Sequence, residues 1–200
     1  MTARLVVLAS GNGTNLQAII DACESKQIDA QVVGVVSDKH EAFALNRAQC
    51  HNVETAVVAA KPHETRPQYD ARLAQIVDMW QPHIIVLAGF MRVLSNSFLS
   101  QFPNQVINIH PALPGELPGT RAIERAFVEF TQGSRNNTGV MVHFVPDEGV
   151  DNGPVIAQQV VPIHAADTLV TLEARMHATE HALVIDALQQ LITQQKAPTS

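Results

Sequence analysis

An asparagine and a histidine, Asn108 and His110, stand two positions apart where an apolar run breaks into a proline-rich loop, in the stretch INIHPALPG. That spacing puts both side chains on one face of a strand, and ligands gather at the carboxyl ends of strands in open α/β sheets. Held there together, an amide and an imidazole suit acyl transfer. The amide can donate to a developing oxyanion without titrating, and the imidazole can move the proton of an attacking amine. The plainer alternative is a strand end whose polar groups satisfy loop backbone. Pro111 prevents regular continuation of the strand, so His110 sits where a pocket can hold it rigidly.

An imidazole in that role wants an orienting carboxylate. The loop PDEGVDNGP supplies Asp147, Glu148 and Asp151, and a carboxylate beside His110 is expected to stabilise the imidazolium and raise its pKa. Acidic, Gly-containing loops are also common surface turns, and spacing alone does not bring them to the histidine.

A second candidate lies near the amino terminus, in ASGNGTNL between a strand and a helix. Gly11 and Gly13 let backbone approach a ligand, and the unpaired amides at a helix start attract an anion. A dinucleotide fingerprint fails because Leu16 stands at the third glycine position, and a phosphate loop of the Walker type fails for want of a lysine. A small phosphate monoester remains, gripped by amides, the Thr14 hydroxyl and the Asn15 amide. The alternative is an ordinary tight turn, which favours the same residues.

Of nine histidines, His40, His51, His63, His83 and His164 fall in loops or at element ends and are expected to be solvated. His143, alternating with apolar residues in VMVHFV, is either a satisfied sheet histidine or a residue facing the site. HATEH, carrying His177, Glu180 and His181, matches an inverted zinc-protease pattern. It lies within an amphipathic helix and lacks a third ligand, so a zinc site is not expected.

Positioning these groups requires a sheet. Apolar β-branched runs at residues 4–10, 31–37, 53–58, 83–90 and 105–110 alternate with helical patterns at 14–25, 41–50, 66–81 and from about 95. Near-continuous apolar strands in β-α alternation predict a mostly parallel twisted sheet with helices on both faces, a Rossmann-like α/β fold. Residues 138–145 and 154–163 predict antiparallel strands toward the C-terminus, and residues 167–195 a long closing helix with Asp167 as N-cap.

The 200 residues are 46% hydrophobic and 16% charged, suited to one domain over residues 1–195, with a disordered tail expected at 196–200. A net charge of −6 without basic runs argues against a nucleic-acid partner. Cys23 and Cys50 have no metal or redox spacing, which suits a reduced protein. No signal-like segment and no run near the roughly 20 apolar residues of a membrane span is found, so a soluble cytoplasmic protein is expected.

Four motifs in order, SGNGTNLQAII, LAGFMRVLS, NIHPALPG and VHFVPDEGVDNGPVI, resemble those of the phosphoribosylglycinamide formyltransferases, over residues 5 to about 191. The resemblance implies the formyltransferase fold and transfer of a formyl group from the cosubstrate 10-formyltetrahydrofolate to the amine of glycinamide ribonucleotide, with no metal. It implies Asn108, His110 and Asp151 as catalytic residues, and Asn12, Gly13, Thr14, Asn15 and Glu180 as ribonucleotide contacts. The folate pocket would be walled by Met91, Arg92, Val93 and Leu94, by Asn108, and by Pro146, Asp147, Glu148, Gly149, Val150 and Asp151. Arg66 would lie near the folate's glutamate tail. Expected partners are these two small molecules, with no nucleic acid or membrane, in a monomer or homodimer.

Many members read HPSLLP after the catalytic histidine, where this chain reads HPALPGELPGTRAI, and Arg121 stands where a histidine is frequent. Substrate contacts from residues 114 to 121 therefore stay open. Among rivals, a methionyl-tRNA formyltransferase would carry a further carboxy-terminal domain and lack SGNGTN, and a formyltetrahydrofolate hydrolase would carry an amino-terminal regulatory domain. A zinc hydrolase or a non-catalytic nucleotide-binding module would leave the second and fourth motifs unexplained.

Overall fold

The computed structural model describes residues 2–196. Five parallel strands, β1 (Ala3–Leu8), β2 (Ala30–Ser37), β3 (Thr55–Val57), β4 (Ile84–Leu87) and β5 (Val106–His110), are extended by antiparallel β6 (Asn137–Phe144) and β7 (Val155–Pro162). The sheet order is β3-β2-β1-β4-β5-β6-β7. This is the mostly parallel sheet, with antiparallel strands toward the C-terminus, that the sequence pattern predicts.

The pleat divides the apolar strands between two cores. Leu5, Val7, Ile84, Val86, Ile107 and Ile109 pack with α1 (Thr14–Glu24), α2 (Phe43–Cys50) and α6 (Leu169–Lys196). Val6, Leu8, Ile85, Leu87 and Val106 pack with α3 (Arg66–Asp78) and α4 (Asn96–Leu99). Each such residue contributes about 1.5–3 kcal/mol on burial, so both faces are locked and the register of β5 cannot slip without turning its apolar set around. Alternation then puts Asn108 and His110 on the face of Val106, at the carboxyl end. β1 leads outward to β2, whereas β4 leads the other way to β5, so their carboxyl ends open a crevice at the point where strand order reverses.

Helix starts follow local chemistry. Thr65 and Gln68 form a capping box at α3, with a proline in its first turn. At α6 the expected cap is displaced by one residue. Thr168, not Asp167, precedes the helix; its Oγ1 accepts from Thr171 N–H at 3.3 Å, and Thr168 N–H donates to Thr171 Oγ1 at 2.9 Å. Asp167 instead accepts from Arg175 at 2.6 and 2.8 Å and from His164 N–H at 2.7 Å. The Arg175 guanidinium, two turns further along, draws the carboxylate into an ion pair.

One helix lies outside the predicted set, α5 (Ala122–Thr131), between β5 and β6. Its buried Ala122, Ile123 and Ala126 recur at helical spacing. α6 reaches Lys196, the first residue of the expected disordered tail; residues 197–200 lie outside the described residues. Two histidines expected to be solvated are half-buried instead. His83 Nδ1 accepts from Arg4 N–H at 2.9 Å, and His51 Nδ1 lies 2.8 Å from Glu24 Oε1.

Candidate active site

The crevice is a cleft of about 540 Å³ bounded by the loop after β1, residues 87–94, the end of β5, the loop before α5, the loop before β7, and α6. His110, only 4% exposed, forms part of its floor. Its Nε2 donates to Leu117 C=O at 3.1 Å, and its Nδ1 lies 3.2 Å from Asp151 Oδ2. Sequence spacing left open whether the acidic loop reaches this histidine. Asp151 does, because β6 and β7 return antiparallel beside β5 and carry the connecting loop back over its end.

Asp151 adopts a left-handed backbone (φ 53), a conformation Asp tolerates better than most residues. Its Oδ1 accepts from Asn108 Nδ2 at 3.0 Å and its Oδ2 from Gly119 N–H at 2.8 Å. Burial alone would raise this carboxyl, but the His143 imidazole when protonated, the Gly119 amide and a protonated His110 outweigh it and hold Asp151 below the usual carboxylate range. For His110 the balance is reversed. Burial depresses the imidazole below its ordinary value, and neither Asp151 nor the Leu117 carbonyl restores it. The expected rise in the His110 pKa is therefore corrected: desolvation of the charged ring is larger than attraction to the carboxylate.

His143 resolves into both of its readings at once. It lies opposite Asn108 in the β5–β6 register, is buried, and lines the cleft. Its Nδ1 donates to Phe144 C=O at 2.7 Å, which leaves Nε2 to accept from Asn108 Nδ2 at 3.2 Å. Both amide hydrogens of Asn108 are thus committed, one to Asp151 and one to His143.

At the other end of the cleft, Gly13 caps α1 with φ 76, and a Cβ there would meet Ala44 Cβ at 2.7 Å. No L side chain fits both constraints. Asn12, Gly13, Thr14 and Asn15 line the cleft with the first-turn amides of α1 beside them. Asn12 is held by Arg47, which donates to its backbone C=O at 2.9 Å and to its Oδ1 at 2.7 Å. Asn15 Oδ1 is buried without a partner. Facing in from α6 is Glu180, buried on the apolar stripe of Leu172, Met176 and Val184. Its Oε2 lies 2.8 Å from His177 Nδ1, and that hydrogen bond, opposed by burial, raises the His177 pKa. Both residues line the cleft; His181 does not. Among the described residues no group of three or more His, Cys, Asp or Glu side chains is arranged to hold a metal ion.

The remaining wall is apolar and open. Met91 is 59% and Val93 42% exposed, an unusual display for side chains lining one cleft. Arg92 lies 3.9 Å over the Tyr69 ring, and Leu94 is buried beneath. Asp147, Gly149 and Val150 complete this side. Arg66, Pro146 and Glu148 do not line the cleft. Arg66 is ion-paired with Glu148, whose other oxygen accepts from Asn96 N–H at 3.1 Å. Phe90 and Glu124 line the cleft from outside the sequence-derived set, Gly119, Thr120 and Arg121 come from the stretch 114–121 whose contacts were left open, and His177 was weighed only within the zinc-like pattern. The PGT turn was the available signal for that stretch.

The sequence model for the formyl transferase family, described as "Formyl transferase", matches residues 3–188. The phosphoribosylglycinamide formyltransferase of Dictyostelium discoideum is 42% identical, covering 96% of this chain and 100% of its own length. That of Escherichia coli (strain K12) is also 42% identical, over 90% of this chain and 82% of its own. The crystal structure of glycinamide ribonucleotide transformylase 1 from Symbiobacterium toebii superposes with a TM-score of 0.90 at 36% identity, covering 96% of this chain and 89% of that one. Matched over nearly its whole length in sequence and in fold, the chain belongs to the formyl transferase family, among its phosphoribosylglycinamide formyltransferases.

Proposed function

We propose that the protein transfers the formyl group of 10-formyltetrahydrofolate to the amine of glycinamide ribonucleotide, giving formylglycinamide ribonucleotide and tetrahydrofolate in purine biosynthesis. The observation that carries this reading is the union of His110, Asp151 and Asn108 at one end of a cleft whose other end is the α1 anion loop. Family membership supplies the chemistry of the two substrates.

The cosubstrate fits what the cleft offers. Exposed Met91 and Val93 present a flat apolar group with a wall, and Asp147, Gly149 and Val150 add a partly polar edge. Its contribution is a formyl group already activated on a folate nitrogen, so we assign no metal to the reaction. The ribonucleotide phosphate would lie on the amides of Gly13, Thr14 and Asn15 beside Asn12, with Glu180 and its partner His177 toward the ribose side. Anchoring both molecules converts an encounter into a near-unimolecular step.

In that step the amine nitrogen bonds to the formyl carbon, the bond from that carbon to the folate nitrogen breaks, and one amine proton passes to the departing nitrogen. With Nε2–H on Leu117, a neutral His110 turns the Nδ1 lone pair toward the Asp151 carboxylate. The pair thus holds a vacant proton position, which the amine proton fills, directly or through water, before leaving with the folate. Asn108 can donate to the developing oxyanion only by releasing Asp151 or His143, and proton arrival at the His110–Asp151 pair weakens the first of those bonds. Arg66 would meet the glutamate tail only after parting from Glu148.

The reading applies equally to a monomer and to a homodimer. We take residues 1–195 as a single domain; the two sheet cores share every central strand. The free cysteines Cys23 and Cys50 suit a cytoplasmic enzyme.

The test is release of tetrahydrofolate from 10-formyltetrahydrofolate with and without glycinamide ribonucleotide. Release that requires the ribonucleotide, and is lost in His110→Ala, is the expected result. Equal release without it would make water the acceptor and the protein a hydrolase.

A further inference from the structure

Arg125 stands out among the charged residues near the cleft. Projecting from the first turns of α5, it has no carboxylate partner among the described residues, and its Nε is buried without an acceptor. Its hydrogen bonds go to two consecutive carbonyls, Leu117 and Pro118, each 2.7 Å from one guanidinium nitrogen. The Leu117 carbonyl is the same oxygen that accepts from His110 Nε2 at 3.1 Å. A carbonyl oxygen has two lone pairs, and here the two are divided between the arginine and the histidine.

The segment so held is conformationally costly. Leu117 has φ 44 and Gly119 has φ 79, both in the left-handed region. For a leucine that backbone costs on the order of 1–3 kcal/mol and persists only where surrounding contacts over-determine it. The amide of Gly119, two residues beyond Leu117, is the one that donates to Asp151 Oδ2 at 2.8 Å. A three-residue strap therefore touches both members of the His110–Asp151 pair: its first carbonyl orients the imidazole, and its last amide orients the carboxylate. Leu117 also packs against the core, and among the described residues Arg125 is the one side chain outside the pair that hydrogen-bonds the strap.

We propose that Arg125 is a positioning residue for formyl transfer, holding residues 117–119 so that His110 and Asp151 face each other across a single proton position. The inference rests on the formyl-transfer reading of the cleft. A purely structural arginine would pin the loop and leave the chemistry of His110 untouched. This one also sets a fixed positive charge near the ring. The charged or titratable groups facing His110 are Asp151 from the loop before β7, His143 from β6 and Arg125 from α5. Of these, Arg125 and His143 oppose protonation and Asp151 favours it.

The experiment compares wild type, Arg125→Met and Arg125→Lys by kinetics across pH and by NMR titration of the His110 ring. Arg125→Met keeps most of the side-chain bulk and removes charge and donors. It is expected to lower kcat by up to ~100-fold, the scale on which a misplacement of about 1 Å acts, with the KM of both substrates changed less than about twofold. Its His110 midpoint and the acid limb of its kcat profile should move together to higher pH. Arg125→Lys keeps the charge but not the two-carbonyl grip, so its midpoint should stay at the wild-type value while kcat still falls. A folded Arg125→Met with an unmoved His110 midpoint overturns the proposal. So does Arg125→Lys with wild-type kcat, which decides the matter even if Arg125→Met fails to fold. Absence of ribonucleotide-dependent release in the wild type would instead sink the formyl-transfer reading, and the His110 midpoints would still report whether Arg125 governs the pair.

Discussion

Asn108 and His143 face each other across antiparallel β5 and β6, and His143 Nε2 accepts the amide hydrogen of Asn108 at 3.2 Å. The histidine can accept there because its Nδ1–H is already given to Phe144 C=O. The imidazole thereby decides which way the Asn108 amide points. A flipped amide would turn its oxygen toward both the Asp151 carboxylate and the lone pair of Nε2. His143→Leu is expected to leave a buried donor unpaired, at about 1–3 kcal/mol, and to lower kcat more than His143→Gln, whose side-chain oxygen can still accept. Thermal unfolding and steady-state kinetics on the two variants check this; equal kcat values would mean that the Asn108 orientation does not matter.

The His110–Asp151 pair is expected to dominate turnover. His110→Ala and Asp151→Asn should each reduce kcat by about 10²- to 10⁴-fold, with circular dichroism of the native form. If either variant retained near-normal kcat at saturating substrates, the proton route through Nδ1 and Oδ2 would be wrong.

The pKa directions set the pH response. His110 is depressed from 6.5 by burial, so the unfolded chain binds its proton first, and stability falls as pH drops from the ordinary imidazole value toward the folded one. Asp151 is depressed from 3.8, so its stabilisation is present above the ordinary carboxylate value and is lost only at lower pH, through its folded value. Between about pH 7 and pH 5, therefore, His110 and not Asp151 should govern the change. Urea midpoints over that range should fall less in His110→Gln than in wild type, and kcat should fall with acid as the neutral imidazole disappears. Identical midpoint shifts in the two proteins would contradict the direction assigned to His110.

The two ends of the cleft should separate by mutation. Thr14 is the first residue of α1, where an acidic side chain favours the helix, so Thr14→Asp is expected to fold normally. Its charge should repel the ribonucleotide phosphate and raise the KM for that substrate at least about tenfold, the effect of about 1.4 kcal/mol, with little change for the folate. Equal weakening of both substrates, measured in the same assay, would refute the division.

Gly13 offers a structural control for that end. Its φ is 76, and a methyl group added there would stand 2.7 Å from Ala44 Cβ, so Gly13→Ala combines backbone strain with overpacking. A loss of about 2–4 kcal/mol is expected from the two together, together with weaker ribonucleotide binding. A denaturation midpoint unchanged from wild type would show that the loop relaxes freely.

Much of this molecule is determined locally. Apolar alternation and β-branched runs set the strands, since a residue's face on a pleat depends only on its position in the strand. The glycines around Asn12 and the Asn-x-His step at the end of β5 are likewise legible, and four ordered motifs carry the family. Glu180 enters through the family resemblance alone, and the fold sets it on the otherwise apolar stripe of Leu172, Met176 and Val184. α5 had its own signal, in Ala122, Ile123 and Ala126, but a short helix after a long proline- and glycine-rich loop is easily absorbed into that loop. The cap of α6 moved from Asp167 to Thr168 because Arg175 competes for the aspartate, a contest that a capping preference does not contain.

Tertiary structure decided the rest. The resemblance singles out Asp151, but that it, and not Asp147 or Glu148, reaches His110 follows from how β6 and β7 fold back beside β5. That Leu117, Gly119 and Arg125 form a strap behind the pair follows from the path of a loop with no periodicity to read. The sign of the His110 shift was not available from sequence at all. Residue types announce the attraction of a nearby carboxylate, but desolvation depends on every atom that excludes water from the ring, and only the packed fold counts them.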